Sequence, residues 1–287
     1  MNRFKFITCY HSSKYSISSL CKLLNVSRAG YYEFQTRRKS KTQIKREYIE
    51  SQVIRVYKEH KGRYGSPRIA NQLYEEGIET NKRVVAELMA KNSLVAITHK
   101  RKKNNNSNKF EEAVRENSLN RIFNQKDINN VWCGDITYVR CSDGTLYVST
   151  YVDLGSRMDV SYDVRSNMKK ELVLKSLEET FAGKRFPKMI HTDGGSQYRS
   201  YKFKELMEKY GISHSMSAPG TPIDNAVIES FFNTLKKELI YPNKGKTMAQ
   251  MRILIKGYME EYYPKKRHHT TIGMTPEKYE KMNYNVS

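Results

Sequence analysis

The strongest constraint on this chain is a change of hydrophobic period near residue 130. Val131–Arg140 alternates and is rich in Val, Ile, Thr and Tyr; Ser142-Asp143-Gly144-Thr145 reads as a hairpin turn, and Leu146–Asp153 as the return strand. A third strand follows over Met158–Val164, then a helix over Met168–Phe181 and a short buried strand over Lys188–Thr192. Tyr201–Tyr210 reads as a helix ended by Gly211, Ile212–Met216 as a last strand, and Asp224 to Ile240 as a long helix. Three antiparallel strands followed by alternating helix and strand predict an α/β domain: a mixed five-stranded sheet flanked by helices.

Ahead of residue 130 the pattern is helical and basic. In Ile17–Tyr32, Leu20, Leu23 and Leu24 recur at helical spacing, Asn25-Val26 makes a turn, and Ser27 is a natural N-cap for a helix carrying Arg28. That is the spacing of a helix-turn-helix, and equally of a plain helical hairpin. A basic helix from Arg37 to about Lys58 leads to a second hairpin. There Ser66 caps, Pro67 opens and Gly77 stops one helix, and Thr80 caps the next with Lys82 and Arg83 outward. Lys100-Arg101-Lys102-Lys103 and the Asn-rich run after it read as a solvated basic linker. The expected organisation is a helical, helix-turn-helix-like region over 1–62, a second such module over 63–98 and a linker over 99–126. The sheet domain then spans 127–240 and a tail 241–287.

Charge divides the chain at the same place. Residues 1–126 hold 27 Lys and Arg against 11 Glu and no Asp, a net of +16; residues 127–287 hold 24 against 19, a net of +5. Cations in that excess imply a polyanionic partner, because neutralising phosphates releases condensed counterions. The candidate contacts to double-stranded DNA are Arg28, Arg63, Arg68, Lys82, Arg83, Lys100, Arg101, Lys102 and Lys103. The four cysteines show no C-x-x-C spacing, which argues against structural zinc. No run nears the roughly 18 apolar residues of a membrane span, and the amino terminus lacks a secretory pattern. A bacterial cytoplasmic protein beside the nucleoid is expected.

Three acids stand where the predicted topology would bring them together. Asp135 lies mid-strand, and a carboxylate there is costly to bury unless it meets a cation or metal. Asp193 ends a buried strand and is followed by Gly194 and Gly195, which allow close approach. Glu229 lies on the last helix. Three carboxylates from separate elements suit two Mg²⁺ ions, or Mn²⁺ in their place, in phosphoryl transfer. Lys236 follows Glu229 by about two helical turns, some 10.5 Å along one face, within reach of a phosphate. Asp143 and Asp153 read as turn or surface groups.

These residues resemble a known family in an ordered series. The matching stretches include Leu24-Asn25-Val26-Ser27-Arg28-Ala29-Gly30-Tyr31-Tyr32, Tyr64-Gly65-Ser66-Pro67-Arg68-Ile69 and Trp132-x-x-Asp135-Ile136-Thr137-Tyr138. They continue with Asp153-Leu154-x-Ser156-Arg157, His191-Thr192-Asp193-Gly194-Gly195-Ser196-Gln197-Tyr198, Asp224-Asn225-Ala226-x-x-Glu229 through Lys236, and Arg267 through Pro276. The chain resembles the second-frame, catalytic transposase of two-frame bacterial insertion sequences, relatives of retroviral integrases. That resemblance implies a ribonuclease H-like fold and metal-dependent DNA end cleavage and 3′-hydroxyl strand transfer. It places the metal ligands on Asp135, Asp193 and Glu229 and the basic partner on Lys236. It further implies a first-frame partner protein, or a frameshift fusion to it, and a homo-oligomer on DNA. No long heptad pattern is present, and Cys133-Gly134 stand where bulkier residues are expected. Two rivals are a non-enzymatic DNA-binding regulator and an enzyme cutting RNA–DNA hybrids; the second leaves the helical hairpins unexplained.

Overall fold

A computed structural model describes residues 3–11, 15–36, 39–97, 127–217 and 226–284. The five expected strands are β1 (Val131–Cys141), β2 (Gly144–Asp153), β3 (Asp159–Arg165), β4 (Met189–Thr192) and β5 (Ser213–Met216). They form one sheet in the order β3-β2-β1-β4-β5. The β1–β2 and β2–β3 pairs are antiparallel, whereas β4 joins β1, and β5 joins β4, in parallel. This is the ribonuclease H-like arrangement, with the Asp135 strand in the middle.

Side chains alternate across β1, as a strand requires. Val131, Cys133 and Val139 pack with α9 (Ala226–Leu235) and α10 (Met248–Gly257) on one face. Trp132 and Ile136 pack with α7 (Glu171–Ala182) and α8 (Tyr201–Lys209) on the other. Gly134 is explained by its cross-strand partner: a Cβ there would lie 2.4 Å from the ring of Tyr151, which fills the space a side chain would need.

The front end holds two small cores. In α1 (Arg3–Tyr10), α2 (Ile17–Leu23) and α3 (Arg28–Thr36), Ile7, Leu20, Cys21 and Tyr31 are buried together. Ser27 Oγ accepts the Gly30 N–H at 2.9 Å, so it opens α3 as expected. The helices α4 (Lys41–Glu59), α5 (Ser66–Glu75) and α6 (Lys82–Lys91) share the other core through Val53, Val56, Ile69, Leu73, Val85 and Leu88. The long basic helix therefore packs with the second hairpin. Two caps fall one residue from their expected place. Gly65 precedes α5, and Asn81 rather than Thr80 caps α6, its Oδ1 accepting the Arg83 and Val84 N–H groups at 3.0 Å.

α9, the helix that carries Glu229, changes geometry at its end. It is α-helical to Leu235, and Lys236–Ile240 then form a π turn. Asp224 lies outside the described residues, as do Lys100, Arg101, Lys102 and Lys103. Residues after 240 are more than a tail: Met251, Ile255 and Tyr258 are buried in the sheet core, and α11 (Pro276–Tyr284) follows. No described helix is long and apolar enough to cross a membrane.

Candidate active site

Asp135 is half-buried on β1 and shares the odd-numbered face with Cys133 and Thr137, the side on which α9 packs. Its Oδ1 accepts the Ile136 N–H at 2.7 Å. Gly134 pairs with Thr192 as the last step of the parallel β1–β4 register, which leaves Asp193 just past the end of β4, next to the Asp135 strand. Asp193 Oδ1 accepts the Gly195 N–H at 3.0 Å, and a Cβ on Gly195 would stand 2.9 Å from that oxygen. Glycine here keeps the carboxylate in place. His191 ties β4 to its neighbour, with ring nitrogens 3.0 Å from Ser215 Oγ and 3.0 Å from Ser217 Oγ. Glu229 is exposed on α9, which is anchored by buried Ile228, Phe231, Phe232 and Leu235.

The electrostatics join these groups. The Asp135 carboxyl is pushed up to about 6, first by burial and then by the negative charges of Asp193 and Glu229, while the Ile136 N–H and Lys236 act in the opposite sense. Asp135 thus lies in the field of the other three expected residues. Lys236 is half-buried, with its ammonium 5.6 Å from the Tyr138 ring centroid. Among the described residues no three acidic, His or Cys side chains converge closely enough to enclose a metal ion. The three candidate donors are all carboxylates, one in the middle of β1, one just past the end of β4 and one on an exposed helical side chain, and such a set fits a hard divalent cation. Tyr198 lies beneath them: its buried hydroxyl is held well above the usual range by burial, then by Tyr151 and the charges of Asp135 and Asp193. Its place in the His191–Tyr198 motif is the only sequence sign of this.

Elsewhere the structure revises the expected roles. Arg28, Lys82 and Arg83 are exposed, the last 3.6 Å from Glu87 on its own helix. Arg63 and Arg68 were expected on DNA but find partners inside the protein. Arg63 Nε donates to the Glu238 carbonyl at 3.2 Å and its guanidinium lies 4.1 Å from the Tyr262 ring centroid; Arg68 Nη1 donates to Glu238 Oε1 at 3.2 Å. Glu238 itself, 2% exposed, reads in the sequence as one more charge in a Lys-Lys-Glu run. Asp143 is an exposed turn residue, as expected. Asp153 is no surface group: it is 0% exposed and takes N–H bonds from four donors.

Comparison with known proteins agrees with this architecture. An integrase core domain model matches residues 126–222, a second integrase core domain model matches 210–276, and an HTH-like domain matches 43–102. The transposase for insertion sequence element IS904 of Lactococcus lactis is 38% identical over 251 residues, covering 86% of this chain and 99% of its own. Transposase InsF for insertion sequence IS3A of Escherichia coli is 32% identical over 278 residues, 95% of this chain and 96% of its own. A mixed sheet of this order, flanked by helices and preceded by an HTH-like module, defines a DDE polynucleotidyl transferase of the integrase class. Within that class, the chain belongs to the IS3 family of insertion-sequence transposases.

Proposed function

We propose that this transposase cleaves DNA at the ends of an insertion sequence and joins the freed 3′-hydroxyl to target DNA, using Mg²⁺ or alternatively Mn²⁺. The observation that carries this is the placement of Asp135: half-buried on the central strand, its carboxyl is raised first by burial and then by the charges of Asp193 and Glu229, with Lys236 acting against them. Asp135, Asp193 and Glu229 would hold the ions, which when bound activate an attacking oxygen and stabilise a leaving one. Asp135 and Asp193 are set by the sheet register and by the Gly195 N–H, so two of the three donors are rigid. Glu229 is exposed on α9 and would supply the third carboxylate.

In cleavage, water attacks a phosphodiester and the bond to the 3′ oxygen breaks, leaving a 3′-hydroxyl on the element and a 5′-phosphate on the flank. In joining, that hydroxyl attacks a target phosphodiester and displaces a target 3′-hydroxyl. Both nucleophiles come from water or DNA, so no Ser or Tyr of the protein need bond to the strand. Lys236 neutralises a phosphate beside the acids. The exposed Arg28, Lys82 and Arg83 bind duplex DNA, together with Lys100, Arg101, Lys102 and Lys103. A homo-oligomer on DNA and a first-frame partner, supplied separately or as a frameshift fusion, complete the assembly.

The test is a joining assay on purified protein and an oligonucleotide bearing the element's end. Asp135→Asn, Asp193→Asn and Glu229→Gln should each lose cleavage and joining while keeping duplex binding that weakens steeply with salt. Wild-type joining by any of the three would overturn the assignment.

A further inference from the structure

We propose that Glu238 is a positioning residue for strand joining, holding Lys236 and the HTH-like module in fixed relation; this rests on the role given to Lys236 above. Three observations converge on it. The first is the bonding of its buried carboxylate. Arg267 Nε donates to Oε1 and Oε2 at 3.1 Å each, Arg68 Nη1 to Oε1 at 3.2 Å, and the Tyr258 hydroxyl to Oε2 at 2.9 Å. The Glu238 carbonyl also accepts from Arg63 Nε at 3.2 Å. One residue thereby ties α5, the catalytic helix and the C-terminal segment together. Around it the Tyr64 hydroxyl donates to the Lys266 carbonyl at 2.8 Å and accepts the His268 N–H at 2.7 Å, so the docking is continuous.

The second observation is the π turn. It begins at Lys236, whose carbonyl accepts the Tyr241 N–H, and Glu238 lies inside it. A π turn inserts a residue into the helical repeat, so where it falls sets how the segment after Lys236 is rotated relative to α9 and to Lys236. Glu238 pins the turn two residues after Lys236. The third is a cleft of about 410 Å³ roofing this network, with Arg68 and Asn71 of α5 on one wall and Asn233 and Lys237 on the other. The Arg68–Glu238 bond spans this cleft and sets the spacing of its two walls.

Energetics agree with a geometric role. A buried carboxylate with several donors contributes little net stability relative to an apolar core, yet it fixes orientation when the set is complete. Arg68 is the arm to cut, because its side chain is 23% exposed and its loss leaves the Glu238–Arg267 pair whole.

Full-length wild type, Arg68→Gln, Arg68→Lys, Lys236→Ala and the Arg68→Gln/Lys236→Ala double variant should be compared in single-turnover joining at saturating DNA. Thermal unfolding and duplex affinity are measured alongside. Small misplacements of a group at a reacting centre cost up to about a hundredfold, so Arg68→Gln should slow joining between about tenfold and a hundredfold. Duplex affinity and melting should stay near wild type, and Arg68→Lys should recover most of the rate. The double variant should be no slower than Lys236→Ala, because both changes act on one group. A wild-type rate for Arg68→Gln overturns the proposal. So does additive slowing in the double variant, or slowing that merely tracks a lower melting temperature. If Lys236→Ala itself joins at the wild-type rate, the role of Lys236 fails first, which separates that failure from this one.

Discussion

Asp135 and Asp153 lie on neighbouring strands of one sheet, yet the protein surrounds the two carboxylates in opposite ways. Asp153 Oδ2 accepts the Asn129 N–H at 2.6 Å and Trp132 Nε1–H at 3.0 Å, and its Oδ1 accepts the Gly155 and Ser156 N–H groups at 2.7 and 2.9 Å. Asp135 has the Ile136 N–H and, beyond it, two like charges. A buried acid supplied with donors is scaffold, because its charge is already accounted for. A half-buried acid left among other acids is poised for a cation from outside. Glu238, with Arg267, Arg68 and Tyr258 around it, belongs with Asp153.

The sharpest way to break this comparison is to remove each carboxylate and measure stability. Asp153→Ala removes the acceptor of four N–H groups. Trp132 Nε1 keeps Asn129 Oδ1 at 3.3 Å, whereas the buried Gly155 and Ser156 N–H groups and the partly buried Asn129 N–H lose this acceptor. Each orphaned group costs about 1–3 kcal/mol, less whatever water recovers. A loss on the order of 3 kcal/mol or more is expected as a lower urea midpoint. Asp135→Asn removes a repelled charge and should cost nothing at neutral pH without added metal, although it ends joining. Equal destabilisation by the two variants would show that the donor count does not distinguish them.

The pH dependence sharpens the same contrast. The Asp135 carboxyl titrates near about 6 when folded and near about 3.9 in an unfolded chain. Between those values the folded state binds the extra proton, so this group's contribution is full below the unfolded value and is lost as pH rises through the folded one. His269, pushed down to about 3 by burial and by Arg267, Arg157 and Arg68, works in the opposite direction, as do His60 and His214, both lowered chiefly by burial. Whole-protein stability therefore mixes the signs, and the informative quantity is the difference between Asp135→Asn and wild type in the absence of metal. It should be near zero at about pH 3, below the unfolded value, and should favour the variant by on the order of 1–2 kcal/mol at about pH 7.5. Added Mg²⁺ should raise the melting temperature of the wild type but not of the variant, and less so below about pH 6. A difference that does not change with pH would remove the electrostatic basis of the site.

What the sequence reveals follows the range of each interaction. The sheet is legible because alternation and turn chemistry are local, and the strands appear within a few residues of their expected bounds. Asp135, Asp193 and Glu229 stand out because strand ends and a helix face imply their convergence. By contrast α1 offers only Phe4 and Ile7 as apolar anchors in a short basic stretch. The partners of Glu238 lie 170 and 29 residues away, and nothing local separates it from a solvated glutamate. Asp153 draws two of its donors from residues 24 and 21 positions upstream, across the hairpin, so its letter alone suggests a turn. The π turn carries no Gly or Pro to announce it. Arg63 and Arg68 contribute to a charge excess that points toward DNA, and nothing in that excess shows their bonds to Glu238.

The smallest expected effect tests the comparison at the surface. Asp143 is exposed at the tip of the β1–β2 hairpin, and its Oδ1 accepts the Met248 N–H at 2.7 Å in the first turn of α10. A carboxylate there satisfies one free helix donor and meets the positive end of the helix dipole. Thr247 and Gln250 already form a capping box at the same end, so Asp143 adds to a cap that stands without it. Asp143→Ala should therefore cost about 0.5–1 kcal/mol, measurable as a small fall in the urea midpoint. Asp143→Asn keeps an oxygen for the Met248 N–H and loses only the dipole contribution, so it should recover most of that loss. Joining should be unchanged in both, since the residue touches neither the three acids nor Lys236. If Asp143→Ala instead slowed joining as Asp135→Asn does, an acid that caps a helix and an acid left among like charges would fail alike. The division between scaffold and site would then have to rest on something other than how each carboxylate is solvated by the protein.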